Sequence, residues 1–309
     1  MSPVFVVILE MRDRGGGIRR PLLTGPADVR RAVKARSVYS HKGDFGCLLI
    51  VGGSNVYSGA PALAGMAALR TGAGLVAIAS PKVVASTIRS YSPNVIVHSL
   101  DSDVVASGDM PKVTQLIGRS DALVLGPGIG LDPKTKRAIP LIINKAIELN
   151  RPMLIDADAI KALAGQVELL KGASAIITPH AGEFNSITGI DVPQRWRERL
   201  PICTGFTKKY SCVLLLKGHD TIVTDGHHVR LNRTGNPGMA TGGMGDVLSG
   251  IIGTFLSCGA EPFYAAAAGA YVHGLAGDLV RKVKGFHMVA SDIIEALPSI
   301  LRVYDRVLR

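Results

Sequence analysis

Short branched apolar runs, each stopped by glycine or a polar residue and followed by a longer helix-like segment, leave this chain few folds to choose from. CLLIV at Cys47–Val51 ends on Gly52 and Gly53, and the run at 75–79 follows a small-residue segment, Gly59–Thr71. Further runs occupy 95–99, Ala122–Leu125, Met153–Ile155 and 175–178, with helical patterns at 112–118 and 134–149 between them. Runs this short and this apolar read as strands buried on both faces. Strands alternating with helices give an α/β chain with a mostly parallel sheet covered on both sides. Ligands of such sheets bind beyond the carboxyl ends of the strands. Gly52, Gly126, Asp156 and Thr178 are therefore expected along one edge. After a helix over about 193–210, three short runs at 212–216, Thr221–Thr224 and Val229–Asn232 are separated by KGHD and DGHH, which read as tight turns of an antiparallel extension. The last third is helical at 247–256, 263–280 and 290–302, and no internal repeat or low-complexity linker divides the chain.

The stretch NPGMATGGMGDVLSG at 236–250 carries the most chemistry. Glycines 242, 243 and 245 precede an apolar helical run, and a helix start free of side chains offers unpaired NH groups and the positive end of the macrodipole to an anion. Asp246 is out of place at such a site unless it collects a proton from a nucleophile, which points to phosphoryl transfer with Asp246 as base. An aspartate capping a helix after a flexible loop is the plainer alternative. Lys217, at the end of a buried run, needs an anion or water, and a nucleotide phosphate meets that need. His180 is either a ligand contact or a turn histidine, whereas His41, His219, His227 and His228 read as surface loop residues. Asp156 and Asp158 at a strand end are expected to point to opposite faces, with one of them capping the next helix rather than the two doing joint acid/base work. No GxxxxGK[ST] occurs, and no GxGxxG follows the first strand, which excludes a P-loop.

A net charge of +11 invites a nucleic-acid reading, but residues 1–45 and 281–309 supply +8 of it and aromatics are only 5%, so no stacking platform is indicated. Apolar residues at 47% against 19% charged describe a compact fold rather than a disordered chain. Cys47, Cys203, Cys212 and Cys258 form no CxxC pair, and free thiols are expected. No run reaches the roughly 18 to 20 apolar residues of a spanning helix, and a cytoplasmic protein with no membrane or nucleic-acid partner is expected. Residues 1–36, with a possible strand over 1–10, Gly15 to Gly17 and a basic stretch over 28–36, read as a lead-in segment to one domain over 37–309.

HKGDFG at 41–46, IVGGS at 50–54, SGAP at 58–61, GPGIG at 126–130, IDADA at 155–159, TPHAGE at 178–183, LKG at 216–218 and the glycine stretch occur in one order. Together they resemble the ADP/ATP-dependent NAD(P)H-hydrate dehydratases of the ribokinase-like superfamily, over most of the chain. The resemblance implies a three-layer ribokinase-like sandwich, with no epimerase domain in front, that dehydrates the S epimer of NADHX or NADPHX to NADH or NADPH. The ring hydroxyl would be phosphorylated by ADP, with ATP as the alternative donor, releasing AMP and phosphate, and Asp246 would be the base. Carried over by motif, Ala60, Gly128, His180 and Asp246 would contact the hydrated cofactor. Lys217, Gly218, His219, Asp220 and Thr221, with Gly245, would hold the nucleotide, and Gly242, Gly243 and Gly245 would form the anion hole. Mg2+ is expected with the nucleotide, without an assigned ligand, and a homo-oligomer such as a tetramer is expected from the likeness alone. His219 and Asp220 stand where the family varies, and Met244 stands where GGTGD has its Thr, which leaves nucleotide preference open. Another small-molecule kinase of this fold, or a non-catalytic nucleotide- or RNA-binding protein, also stays open.

Overall fold

The two side-chain rows of each central strand feed two separate cores, which is why the strands read as unbroken apolar runs. A computed structural model describes residues 21–308. In β3 (Cys47–Val51) Leu48 and Ile50 belong to one core and Leu49 and Val51 to the other, and β4 (Leu75–Ser80) divides Val76 and Ile78 from Ala77 and Ala79 in the same way. Period-two alternation with both rows apolar requires cover on both faces. The sheet is completed by β5 (Ile96–Ser99), β6 (Ala122–Leu125), β7 (Met153–Ile155), β8 (Ala175–Ile177), β9 (Val213–Leu216), β10 (Thr221–Thr224), β11 (Val229–Asn232) and β1 (Leu22–Leu23). Its order is β1-β11-β10-β9-β8-β7-β6-β3-β4-β5. Every neighbouring pair is parallel except the two that involve β10, so the expected antiparallel extension comes down to one reversed strand.

One face is covered by α1 (Pro26–Ala32), α2 (Gly59–Thr71), α3 (Lys82–Tyr91), α9 (Met244–Ser257), α10 (Pro262–Lys284) and α11 (Ala290–Leu301). The other carries α4 (Met110–Gly118), α5 (Pro133–Glu148), α6 (Asp158–Ala162), α7 (Ala181–Thr188) and α8 (Trp196–Tyr210). Three helices, α1, α3 and α7, were not expected. In α3 the apolar face is only Val84, Ala85 and Ile88 among Ser, Thr and Arg, and α7 is announced by a capping box rather than by apolar spacing. The described part of the lead-in is woven into the fold. β1 pairs with β11, α1 packs on α10, and β2 (Arg36–Ser37) pairs with β12 (Val307–Leu308) near the C-terminus. The possible strand over 1–10 and the glycines 15–17 lie outside the described residues. The four cysteines are free thiols. Among the described residues, no helix is long and apolar enough to cross a membrane.

The most intimate packing is between α9 and its neighbours, and it depends on glycine. A Cβ at Gly250 would lie 2.1 Å from the Ala64 carbonyl oxygen of α2, and one at Gly253 would lie 2.6 Å from Val124 of β6. The small residues of α2 serve this contact inside the chain. Gly250→Ala therefore opposes two effects: a gain in helix propensity of about 1 kcal/mol and an overpacking cost of about 1–3 kcal/mol against rigid backbone. At 2.1 Å the second wins, and a net loss of stability is expected in urea unfolding. An unchanged or higher midpoint would show that α2 and α9 can separate freely.

Candidate active site

Backbone hydrogen bonds step from strand to strand along the carboxyl edge of the sheet. Gly52 N donates to Ala79 O (3.2 Å), Gly126 N to Val51 O (3.1 Å), Asp156 N to Leu125 O (3.0 Å), Thr178 N to Ile155 O (3.3 Å) and Lys217 N to Pro179 O (2.9 Å). The strand ends expected to share one edge do so. At its centre the chain turns sharply after Asp156: Ala157 has φ +52, a left-handed value that a side chain rarely tolerates. Asp156 is 2% exposed. Its Oδ1 accepts from Thr178 Oγ1 (2.8 Å) and Lys217 Nζ (3.1 Å), and its Oδ2 accepts from Ser249 Oγ of α9 (2.7 Å). Burial opposes its ionisation, but the Lys217 ammonium and the hydroxyl donors outweigh it and hold Asp156 below the usual carboxylate range.

The expectation that Asp156 or Asp158 caps the following helix is overturned. Ala157 occupies the cap position of α6 and no side chain bonds there. The two carboxylates do diverge, but not through strand alternation, which puts residues two apart on one face: the turn at Ala157 parts them, so that Asp156 points into the fold while Asp158 pairs with Lys161 at 2.9 Å. Lys217 is shared between Asp156 and the buried Glu183, whose Oε2 lies 3.7 Å away. Burial works against its charge, and the carboxylates of Asp156 and Glu183 more than restore it, so its pKa is raised. His180 caps α7: its Nδ1 accepts from Glu183 N (3.2 Å), and Glu183 Oε2 accepts from His180 N (2.9 Å). The imidazole remains exposed.

The helix α9 begins at Met244, three residues before the expected start, so Gly245 and Asp246 lie in its first turn. Gly243 takes the cap position with φ +85, and no side chain caps the helix, so capping is not the role of Asp246. A Cβ at Gly242 would meet nothing within 4 Å, whereas one at Gly245 would lie 3.8 Å from both Asp156 Oδ2 and Lys217 Nζ. Burial is the main cause that raises Asp246 to about 7, the Asp156 carboxylate adds to it, and Lys217 counteracts it. A carboxyl group at that value is poised to exchange a proton near neutrality. Behind the loop, burial and the Lys217 charge push His273 of α10 down to about 4, and its Nε2 has no partner, so it is neutral when Asp246 titrates.

Ala60 and Gly128 meet at the far side of the cleft. Gly128 has φ +63, and a Cβ there would lie 3.0 Å from Ala60 Cβ and 2.8 Å from the backbone of Tyr57. Lys161 of α6 lies within electrostatic reach of both Tyr57 and Glu183, which ties this corner to the His180 corner. On the other side, Thr221 Oγ1 accepts from Gly218 N (3.2 Å) and donates to Gly218 O (3.0 Å), closing the turn between β9 and β10. Asp220 accepts from Arg233 Nε at 2.8 Å, and the His219 side chain is 97% exposed, with its Nδ1 3.9 Å from Asp220 Oδ2. Thr178 was expected at this edge but not as a partner of Asp156, and Glu183, Ser249, Tyr57 and His273 escaped the sequence reading. The hydroxyls and His273 have no spacing signal, but S/T/H-x-x-E at 180–183 is a legible capping pattern. The described residues bring no three His, Cys, Asp or Glu side chains into a metal-holding cluster.

This arrangement, a glycine-started helix without a side-chain cap, with a carboxyl near neutrality and a neutralised lysine beside it, suits proton removal coupled to phosphoryl transfer. A family described as NAD(P)H-hydrate dehydratase matches residues 48–299. The bifunctional NAD(P)H-hydrate repair enzyme Nnr of Pyrobaculum aerophilum is 39% identical over 92% of this chain and 56% of its own. The chain thus spans about half the length of the bifunctional relatives it matches. The ADP-dependent (S)-NAD(P)H-hydrate dehydratase of Cenarchaeum symbiosum is 34% identical over 92% of this chain and 98% of its own. A crystal structure of the ADP/ATP-dependent NAD(P)H-hydrate dehydratase of Bacillus subtilis, co-crystallized with ATP/Mg2+, aligns with a TM-score of 0.78 at 25% identity, over 93% of this chain and all of that one. The sandwich is ribokinase-like, and the chain belongs to the NAD(P)H-hydrate dehydratase family.

Proposed function

We propose that the protein uses ADP to dehydrate the S epimer of NADHX or NADPHX, returning NADH or NADPH with AMP and phosphate. The observation that carries the reading is Asp246: a carboxyl group raised to about 7, in the first turn of a glycine-started helix, beside Lys217 and Asp156. Its ADP preference is supported by a relative of matching length that is named ADP-dependent.

In this reading Ala60, Gly128 and His180 face the hydrated cofactor, and Lys217 to Thr221 with Gly245 hold the nucleotide. Asp246 accepts the proton of the ring hydroxyl as its oxygen attacks the terminal phosphorus of ADP. The bond from that phosphorus to the bridging oxygen breaks, and AMP leaves with the electron pair. The free NH groups of the turn at Gly242, Gly243 and Gly245 face the charge on the transferred group. The carbon–oxygen bond to the new phosphate then breaks with help from the ring nitrogen, and loss of a ring proton restores the double bond. Lys217 keeps its charge because Asp156 and Glu183 hold it, so it is not a second proton acceptor. With no three-ligand cluster among the described residues, Mg2+ would ride on the nucleotide's phosphates, which together with water satisfy most of its octahedral shell.

The direct test is recovery of NADH absorbance when purified protein meets NADHX and ADP, with ATP in parallel. Recovery supports the reading, and none with either nucleotide overturns it. Asp246→Asn is expected to lower kcat at least about a hundredfold, with little change in the KM for ADP. Near-normal turnover would remove Asp246 from its role. Because the base works only when ionised, kcat/KM for NADHX is expected to rise with pH through about 7. Asp156→Asn removes a negative neighbour and leaves Lys217 with less compensation. Both changes favour the ionised Asp246, so the rising limb should shift to lower pH. A limb that stays in place would show that the buried pair does not set the proton affinity of Asp246.

A further inference from the structure

The turn between β9 and β10 rests on a buried cation that the chemistry above does not use. Arg199, from the first turn of α8, is 5% exposed. Its Nη2 donates to Asp220 O at 2.6 Å, and its Nε, also buried, has no partner. Among the described residues it forms no ion pair, and the nearest acidic side chain on the turn, Asp220, is engaged by Arg233 instead. A Cβ at Gly218 would lie 2.6 Å from Arg199 Nη1, so the guanidinium fills the space beneath Gly218 that a side chain would need. Arg199 and Gly218 are a fitted pair.

A guanidinium sunk to this depth without a carboxylate is unfavourable on its own, since burial of a charge calls for a partner. The charges around it show what it balances. Lys217 and Arg233 are the cations of this corner held by ion pairs, and they face Asp156, Glu183, Asp220 and Asp246, while Arg195 and Arg197 line the adjoining cavity with Glu198 and Asp220. Lys217 and Arg233, each held by carboxylates, have little charge left for a phosphate. Lys217 is already neutralised by Asp156 and Glu183, and Arg233 by Asp220, whereas the charge of Arg199 is met only by a backbone carbonyl. We infer that Arg199 is a positioning residue for the nucleotide: it braces the Lys217–Thr221 turn through Asp220 O and Gly218 and supplies the uncompensated positive charge that draws the ADP phosphates to it.

This rests on assigning that turn to ADP, so binding is measured apart from turnover. Calorimetric titration of ADP into the folded wild type, Arg199→Met and Arg199→Lys is paired with steady-state kinetics varying ADP and NADHX separately. Arg199→Met is expected to weaken ADP binding about tenfold or more, with KM for NADHX and kcat within about twofold, the pattern of lost uniform binding. Arg199→Lys, which returns the charge without the fork, should recover part of the ADP affinity although it loses the same packing. Gly218→Ala, which drives a methyl into Nη1, should weaken ADP in the wild type and add little on top of Arg199→Met. That single variant also keeps the inference testable if Arg199→Met does not fold. Unchanged ADP affinity in Arg199→Met, or equal weakening toward ADP and NADHX, overturns the inference while leaving the proposed reaction standing. Wild-type protein that binds ADP but restores no NADH overturns the reaction and not the role of Arg199.

Discussion

One buried carboxylate, Asp156, joins four separate pieces of chain: its own strand end, Thr178 after β8, Lys217 after β9 and Ser249 on α9. These pieces are up to 93 residues apart in sequence, yet their hydrogen bonds converge on two oxygens. Without this junction Lys217 would have Glu183 as its one ion-pair partner among the described residues, and α9 would lose its Ser249 bond to the sheet edge. Breaking a buried pair by removing one member commonly costs about 3–5 kcal/mol, because the other charge is stranded. The same carboxylate also acts at a distance. By opposing ionisation of Asp246 it helps keep that group near neutrality, so one residue organises both the geometry and the proton affinity of the cleft.

The division of labour between the two carboxyl groups follows from their surroundings. Asp156 has three donors and stays charged despite burial, whereas Asp246 is desolvated and feels more repulsion than help. Two identical side chains are thus driven in opposite directions, the pattern expected where one holds structure and the other moves a proton. His273 belongs to the same electrostatic arrangement, kept neutral by burial and by Lys217.

Much of the fold was legible because burial leaves a periodic trace. The strands at Cys47–Val51, Ala122–Leu125 and Met153–Ile155 are short apolar runs that can be nothing else in a sheet covered on both faces. The helix α3 was missed because Ser and Thr dilute its narrow apolar face, and the start of α9 was placed late because glycines mask the first turn of a helix. Within the cleft, Asp246, Lys217 and the glycines stood out as residue types at unusual positions. Asp156 was visible but misjudged. Residues two apart on a strand share a face, so spacing could not show that the turn at Ala157 parts the two side chains, nor that Thr178, Lys217 and Ser249 arrive from elsewhere to meet one of them. Arg199 left no trace at all, since a helical arginine normally reads as solvated surface.

The reversed strand β10 gives the two sides of the cleft different mechanical characters. On the Ala60 and Gly128 side, strand-to-helix connections turn at left-handed glycines and are anchored at their ends. On the Lys217 side, the turn is the tip of a hairpin whose two arms are held in register, Leu216 opposite Ile222 and Leu214 opposite Thr224. A hairpin tip cannot slide without breaking its own ladder, while a crossover loop can yield without disturbing the sheet. Under the proposed assignment, the phosphate donor would therefore lie against the tip of a hairpin and the hydroxyl acceptor against crossover loops, so that the two reacting partners would be held by different kinds of connection.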